Sequence, residues 1–146
     1  MADENALFTL LPARTPLLID IPHAGLGLMP GMEARMTPAG LRRADTDWHV
    51  EKLYDFASET GAGLMVATHS RYVVDLNRDP SGQALYPGAD NTEICPTRGF
   101  DNAPIYQDGA APDATEVATR VEKYWHPYHA RLAAELEAIR ARHGYA

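Results

Sequence analysis

The sequence has one cysteine, few basic residues and no long apolar run, and each shortage excludes a class of protein. Cys95 alone excludes an intramolecular disulfide, a disulfide-stapled secreted scaffold and a zinc cluster built on CxxC pairs. The balance of 13 basic against 20 acidic residues gives a net charge of −7. That charge disfavours nucleic acid or an anionic membrane as the main partner. The apolar runs near residues 17–19 and 64–67 are too short to span a membrane.

The remaining composition is that of an ordinary folded protein. Hydrophobic residues make up 45% and charged residues 23% of the 146 residues, which argues against disorder and leaves room for one domain. The first 11 residues carry acids where a secretory signal carries basic residues. We therefore expect a cytoplasmic protein without a membrane or nucleic-acid partner.

The apolar pattern predicts an α/β fold. Buried strands are predicted over Thr15–Pro22, Leu64–Thr68 and Tyr72–Leu76. A helix with one apolar face is predicted over Asp45–Thr60, between the first two strands. Two strands around a helix indicate a βαβ unit, and hence a parallel or mixed sheet covered by helices. A further helix is expected to begin at Thr37-Pro38, with Thr37 as its N-cap.

The second half of the chain combines a long loop with the strongest helical pattern. Residues 77–112 are rich in proline and glycine, and a loop of this length is typically functional or disordered. Asp113 and Glu116 have capping-box spacing at the start of a helix that runs to about His143. Pro127 should kink this helix or mark its true start. The predicted apolar stripe consists of Val117, Val121, Tyr124, Tyr128, Leu132, Leu136 and Ile139.

The first candidate for chemistry is His23, which follows the first predicted strand directly. A neutral imidazole followed by small residues can hold a metal ion that a substrate can reach. The alternative is a loop histidine bonded to a backbone carbonyl. Asp45 and Asp47 can be metal ligands or a general base. Taken by themselves, they are better interpreted as acids that cap a helix and complement its dipole.

The second candidate is the segment RYVVDLNRDP, which begins at Arg71. Strand alternation would place Arg71 and Asp75 on one face, with Asn77 and Arg78 at the end of the strand. Two arginines and an asparagine suit bidentate capture of carboxylates, and Asp75 can orient an arginine or a histidine. The alternative is a structural aspartate–arginine pair beside a solvated arginine.

Three other residues carry weaker signals. His126 and His129 lie three residues apart on the predicted helix without a partner acid, so we interpret them as core or surface residues. Cys95 lacks a matching histidine arrangement, which makes a thiol nucleophile an unfavoured interpretation. The sequence contains no GxGxxG, Walker or GxSxG motif.

Several segments together resemble the N-formylglutamate amidohydrolases, also called N-formylglutamate deformylases. PHAG followed at this distance by RYVVDLNR is specific, whereas each motif alone is weak. The resemblance implies hydrolysis of N-formyl-L-glutamate to formate and L-glutamate in histidine breakdown. It also implies a three-layer α/β/α fold with a mixed sheet, like that of the zinc carboxypeptidases and other phosphorylase/hydrolase-like proteins. The matching segments are PLLIDIPHAGLGLMP (Pro16–Pro30), ADTDWHVEKLYDFA (Ala44–Ala57), SRYVVDLNRDP (Ser70–Pro80), ALYPG (Ala84–Gly88) and YWHPYHARLAAEL (Tyr124–Leu136).

The resemblance also implies roles for single residues. His23 would bind one zinc ion, and Asp47, in preference to Asp45, would be the second ligand. Leu26 stands where a carboxypeptidase-like HxxE motif would have glutamate, so the second ligand is an inference and not a motif match. The predicted catalytic residues are Arg71 and Asp75, with Asp75 supporting its neighbours by hydrogen bonds. The residues predicted to bind the substrate's carboxylates are Arg71, Asn77 and Arg78.

Members of the resembling family continue past a segment like HGYA into a DAHS- or DCHS-like motif, whose histidine would be the remaining zinc ligand. We therefore expect residues 1–146 to be the N-terminal part of one amidohydrolase domain, with weak metal binding and little turnover by themselves. Two alternatives stay open. One is a non-catalytic module that binds a carboxylate through Arg71 and Arg78, and the other is a related deacylase of N-acyl amino acids. Whether the reading frame continues past Ala146 separates the first alternative from the enzyme.

Overall fold

Three short strands form one mixed sheet in the computed structural model, which describes residues 6–84, 86–89 and 91–146. The strands are β1 (Phe8–Leu11), β2 (Leu18–Ile21) and β3 (Gly63–Ala67), in the order β1-β3-β2. β2 runs parallel to β3 and β1 runs antiparallel to it. The predicted mixed sheet and its parallel pair are therefore confirmed, and β1 is a strand that the apolar pattern did not predict.

The third predicted strand, Tyr72–Leu76, is wrong. These residues form turns after β3, and all of them are buried, so the chain has no alternation between a buried and an exposed face. Tyr72 and Val73 belong to one apolar cluster, while Val74 and Leu76 belong to another. An apolar run that is buried on every side has the composition of a core strand without pairing as one.

The continuous helix predicted over Asp45–Thr60 is also wrong. The structure has two single-turn helices there, α2 (Val50–Leu53) and α3 (Ala57–Thr60). His49 adopts a left-handed conformation with φ of 62°, and Leu53 of the predicted apolar face is 70% exposed. Because α2 begins only at Val50, neither Asp45 nor Asp47 caps it, and the helix-capping interpretation of these acids is wrong.

The two predicted helix starts outside that region are confirmed. Thr37 accepts a hydrogen bond from the Gly40 N–H at 3.0 Å and begins α1 (Pro38–Leu41), which follows a 3₁₀ turn at Glu33–Arg35. Asp113 accepts the Glu116 N–H at 2.8 Å and begins α4 (Ala114–Arg120). Each cap satisfies one of the unpaired N–H groups of a helix end.

The long helix is interrupted at the place where Pro127 predicts a break. α4 passes into a π-helical turn at Val121–Trp125, and α5 (His126–His143) begins directly after it. Pro127 lies in the first turn of α5, where its missing N–H is tolerated. Gly144 ends α5 in a left-handed conformation, as predicted. Leu136 of the predicted stripe is 41% exposed, whereas Tyr128 and Ile139 are fully buried.

The described residues form two core clusters, and one of them lies between the sheet and the long helix. Met65 and Ala67 of β3 pack with Val121 and Tyr128, and a second cluster joins Met32, Met36, Tyr72, Val73, Ile105 and Tyr106. Residues 77–112 contain no regular helix or strand in their described part, which agrees with the predicted loop. No helix within the described ranges combines the length and apolar character needed to cross a membrane.

Candidate active site

His23 lies in a turn at the carboxyl end of β2, and glycines hold that turn against the end of β3. The Gly27 N–H donates to the Thr68 carbonyl at 2.9 Å. At Gly25, an added Cβ would lie 2.4 Å from the Thr68 carbonyl carbon, so only glycine permits this close approach. The PHAG sequence therefore fixes His23 beside the chain that leaves β3, which is where residues 71–78 begin.

His23 and Asp75 form a buried pair. The side chain of His23 is 6% exposed and that of Asp75 is 1% exposed, and His23 Nε2 donates to Asp75 Oδ1 at 2.7 Å. The same carboxylate oxygen accepts the Asn77 N–H at 2.9 Å. Burial disfavours the charge on Asp75, but these hydrogen bonds and the positive charge of Arg71 outweigh burial and hold the pKa of Asp75 below its ordinary value.

Arg71 contacts both ring nitrogens of His23. Its Nη2 is 2.5 Å from His23 Nδ1 and 3.0 Å from His23 Nε2, and its Nε is 3.8 Å from Asp75 Oδ2. Since Nε2 carries the proton that Asp75 accepts, Nδ1 carries the lone pair of the ring. Because Nη2 is close to both nitrogens, it lies over the ring and not along that lone pair. The Arg71 guanidinium also faces the Phe100 ring, 5.0 Å from its centroid, a cation–π contact that holds its outer face.

Asp45 and Asp47 occupy different environments. Asp45 Oδ2 accepts hydrogen bonds from the Tyr72 hydroxyl at 2.9 Å and from the Phe100 N–H at 3.0 Å. Asp47 has a side chain that is 46% exposed, and its Oδ2 lies 3.7 Å from His23 Nδ1. Asp45 is thus occupied in holding the loop around Phe100, while Asp47 presents a carboxylate to the histidine.

The donor atoms of His23 and Asp47 fit two ligands of one metal ion. Two tetrahedral zinc ligands at their usual bond lengths lie about 3.4 Å apart, close to the 3.7 Å between His23 Nδ1 and Asp47 Oδ2. Asp75 supports His23 from the opposite nitrogen, as carboxylates commonly do for metal-binding histidines. Within the described part of the chain, no group of three or more acidic, histidine or cysteine side chains could hold a metal ion.

Two buried atoms of this cluster have no hydrogen-bond partner among the described residues. They are Arg71 Nε and Asp75 Oδ2. A buried polar atom without a partner costs about 1–3 kcal/mol, and such atoms gather where a ligand supplies the missing contact. His23, Arg71 and Asp75, called the site cluster from here on, are therefore the best candidates for chemistry in the described residues.

Arg78 lies apart from the site cluster, in the wall of a cleft formed with the long loop. Its guanidinium donates to the Thr92 hydroxyl at 3.3 Å and to the Thr92 carbonyl at 3.4 Å. Arg78, Arg98 and Phe100 line this cleft of about 110 Å³. Phe100 also covers Arg71, so the same ring borders both the cleft and the site cluster. The sequence pattern did not single out Arg98 or Phe100. For Phe100 the sequence signal is an aromatic residue beside a glycine in a long loop, and Arg98 has no comparable signal.

The structure places the predicted residues on two sides of Phe100. It brings His23, Asp47, Arg71 and Asp75 together, and it puts Arg78 in the neighbouring cleft. Asn77 is exposed, and its backbone N–H is tied to Asp75. Cys95 is buried, and burial raises the pKa of its thiol to about 11, which disfavours the thiolate that a nucleophile would need.

Comparison with known proteins identifies the family. The model of the family described as N-formylglutamate amidohydrolase matches residues 15–146. The chain belongs to this family. An N-formylglutamate deformylase of Pseudomonas aeruginosa is 44% identical over 91% of the chain, and one of Pseudomonas putida is 41% identical over 91%. The matches cover 50% and 49% of those proteins, so the chain spans about half the length of the curated relatives it matches.

Solved structures support the fold of this family member. The N-formylglutamate amidohydrolase of Ralstonia eutropha JMP134 matches 95% of this chain and 54% of its own, with a TM-score of 0.75 and 29% identity. A gene product of Agrobacterium tumefaciens matches 95% of this chain and 52% of its own, with a TM-score of 0.63 and 18% identity. The α/β class and the resemblance to this amidohydrolase family are therefore confirmed.

Proposed function

We propose that this chain supplies part of the active site of an enzyme that hydrolyses N-formyl-L-glutamate to formate and L-glutamate. The observation that carries the proposal is the buried site cluster, with two unpartnered polar atoms beside the exposed carboxylate of Asp47. Family membership supplies the substrate, since the relatives from the two Pseudomonas species are named N-formylglutamate deformylase. The setting that we propose is histidine breakdown in the cytoplasm.

The proposed cofactor is one zinc ion, with His23 and Asp47 as two of its ligands. Asp75 holds the proton of His23 on Nε2, which leaves the Nδ1 lone pair for a metal. Arg71 Nη2 lies 2.5 Å from that nitrogen, so a metal ion bound there would require the Arg71 guanidinium to move. Lewis-acid activation of the amide carbonyl and of a water molecule is the chemistry that the bound ion would supply.

The proposed substrate carries two carboxylates, and the chain offers arginines on both sides of Phe100. Arg71, once released from His23, can face the reacting end of the substrate. Arg78 and Arg98 line the adjoining cleft, and their guanidinium groups suit a carboxylate there. Asn77 lies between the two arginines of its segment and would add a side-chain amide. Asp75 and Arg71 are thus the proposed catalytic residues. Asp75 orients His23, and the positive charge of Arg71 acts at the reacting end of the substrate.

The finer description of the fold belongs to the same proposal. Residues 1–146 would form the N-terminal part of one amidohydrolase domain with three layers, related to the zinc carboxypeptidases. A small mixed sheet with the long helix on one face is compatible with that arrangement. The remaining zinc ligand and the general base would then come from outside these residues.

Formate release from N-formyl-L-glutamate tests the proposal. The complete product of the gene that encodes this chain, with zinc added, should turn over at an ordinary enzyme rate of about 1–10³ per second. Residues 1–146 alone should turn over far more slowly, because a catalytic zinc site needs about three protein ligands. Absence of formate release from the complete product would contradict the proposal.

The same assay separates the two alternatives. N-acetyl and longer N-acyl amino acids serve as rival substrates, and preference for one of them would indicate the related deacylase. Tight binding of a dicarboxylate by residues 1–146, without hydrolysis by the complete gene product, would indicate the non-catalytic binding module. In each case the Arg78→Gln variant shows whether the proposed cleft takes part in binding.

A further inference from the structure

Residues 71–78 are buried over most of their length but do not pair as a strand, so their backbone carbonyls need other donors. Buried carbonyls in native proteins are almost always satisfied. Tyr72, Val73 and Leu76 are all buried, and none of these three residues belongs to a strand. The partners of these carbonyls come from the long helix.

Three side chains of the helix donate to this segment. Arg120 Nη1 donates to the carbonyls of Tyr72 and Val73, at 3.3 and 3.0 Å. His129 Nε2 donates to the Leu76 carbonyl at 2.9 Å. Trp125 Nε1 donates to the Arg78 carbonyl at 3.0 Å. The rings of Trp125 and His129 are stacked, with centroids 3.9 Å apart.

The π-helical turn explains how these three side chains reach one segment. Residues five apart in a regular α-helix point about 140° away from each other around the axis. Arg120 and Trp125 are five apart, and the turn at Val121–Trp125 lies between them. A π turn holds more residues than an α turn, so it rotates Trp125 back towards the face of Arg120, and such turns are frequent at functional sites.

We propose that Trp125 and His129, with Arg120, clamp residues 71–78 from behind and act as positioning residues for Asp75 and Arg78. The effect of this clamp on catalysis rests on the proposed function. Leu76 follows Asp75 directly, and its carbonyl is held by His129. Arg78 forms the cleft wall, and its carbonyl is held by Trp125. The clamp also gives the two helix histidines separate roles, because the exposed His126 pairs with Glu122 at 3.4 Å.

Substitutions at position 129 test the clamp, with position 126 as the matched control on the same helix. In the complete gene product, His129→Leu should lower kcat/KM for N-formyl-L-glutamate on the order of tenfold, because the Leu76 carbonyl loses its donor. The loss should appear mainly in KM, through Arg78. His129→Gln should restore most of the activity by donating from its amide. His126→Leu should leave kcat/KM unchanged.

Amide hydrogen exchange gives a readout that does not depend on the substrate. The N–H groups of Asn77 and Arg78 are bonded to Asp75, so they should exchange slowly in the wild type and in His129→Gln. They should exchange faster in His129→Leu and in Trp125→Phe, which keeps an aromatic ring but loses the donor. Unchanged exchange in both variants would overturn the clamp, whatever the substrate of the enzyme.

The kinetic result then separates positioning from simple stability. If exchange rises in His129→Leu while kcat/KM stays at the wild-type value, the clamp exists but positions nothing, and the proposal is wrong. If the wild type hydrolyses no N-formyl-L-glutamate, the proposed function is wrong. In that case, faster exchange at Asn77 and Arg78 in His129→Leu still supports the clamp, and unchanged exchange overturns it.

Discussion

Two clusters of charged side chains within the described residues differ in how completely their polar atoms are bonded. The site cluster leaves Arg71 Nε and Asp75 Oδ2 without hydrogen-bond partners among the described residues. The second group, called the structural cluster, consists of Arg35, Glu116 and Arg120. Arg35 binds both oxygens of Glu116 at 2.9 and 3.0 Å, and Arg120 Nη2 binds one of them at 2.5 Å.

The contrast indicates different uses of charged side chains. The structural cluster contains no atom among the buried unpartnered ones of the described residues. Its arginines also bind the Ala110, Tyr72 and Val73 carbonyls. It therefore joins the long helix, the loop and the segment after β3 into one body. The site cluster keeps unsatisfied atoms near the exposed Asp47, which is the arrangement expected where a ligand completes the bonding.

Removing Arg120 should have the largest effect on stability. Arg120→Met takes one cation from Glu116 and the donor from two buried carbonyls, and breaking a buried ion pair in this way costs about 3–5 kcal/mol. Urea unfolding measures the change in the free energy of unfolding. Arg140→Met is the control, because Arg140 is 70% exposed and pairs with Glu137 at only 4.0 Å. If the free energy of unfolding falls by less than about 1 kcal/mol in Arg120→Met, the structural role of this cluster is contradicted.

Asp75→Asn should instead damage function more than stability. Loss of the carboxylate that orients a metal-binding histidine typically lowers metal affinity or activity by about 10–100-fold. The free energy of unfolding should fall by less than in Arg120→Met. Calorimetry of zinc binding and formate release by the complete gene product measure the loss of function. Urea unfolding measures the loss of stability. Asp79→Asn, an exposed acid of the same segment, is the control, and equal losses in both variants would contradict the prediction.

Asp45 and Asp47 are neighbouring acids that should differ in the same way, one contributing to stability and the other to zinc binding. Asp47→Asn should weaken zinc binding while the free energy of unfolding stays within about 0.5 kcal/mol of the wild type. Asp45→Asn should do the reverse, with a loss of about 1 kcal/mol, because Asp45 holds the Tyr72 hydroxyl and the Phe100 N–H. Thermal unfolding measures the change in stability of both variants, and zinc titration measures the change in their zinc affinity. The interpretation of Asp47 as the ligand fails if Asp45→Asn weakens zinc binding more.

The smallest effect is expected in the acid dependence of stability. Hydrogen bonds from Arg35, and then the second cation Arg120, hold the pKa of Glu116 below its ordinary value against the effect of burial. The stabilisation from Glu116 is therefore complete above its unfolded pKa and is lost as the pH falls through the lower folded pKa. Glu116→Gln should melt at a lower temperature than the wild type at pH 7. The gap in Tm should narrow below about pH 4, and a gap that widens would contradict this prediction.

The sequence was a good guide to short apolar strands and to helix caps, and a poor one to residues 45–60 and 72–76. Short apolar runs predicted β2 and β3, and local hydrogen bonding predicted the caps at Thr37 and Asp113. Residues 72–76 have the composition of a core strand, yet their carbonyls are bonded to helix side chains and not to a neighbouring strand. No pattern within the segment itself could reveal those distant donors.

The candidate site was predictable in its residue types and less so in its geometry. His23, Arg71 and Asp75 were all selected from motifs, and the structure joins them. The cation–π partner Phe100 lies 29 positions after Arg71 in an irregular loop, where no periodicity guides prediction. The positions of Trp125 and His129 depend on the π turn, for which Pro127 was the only sequence signal.

The central claim is that His23 Nδ1 is reserved for a ligand while Asp75 keeps the proton on Nε2. Side-chain ¹⁵N NMR of the histidines, recorded on the complete gene product during addition of zinc, tests it most directly. We expect the Nδ1 resonance of His23 to shift on zinc binding while Nε2 remains protonated. The resonances of His126 and His129 should be unchanged. A His23 resonance that does not respond to zinc, or that shows metal on Nε2, would contradict this assignment.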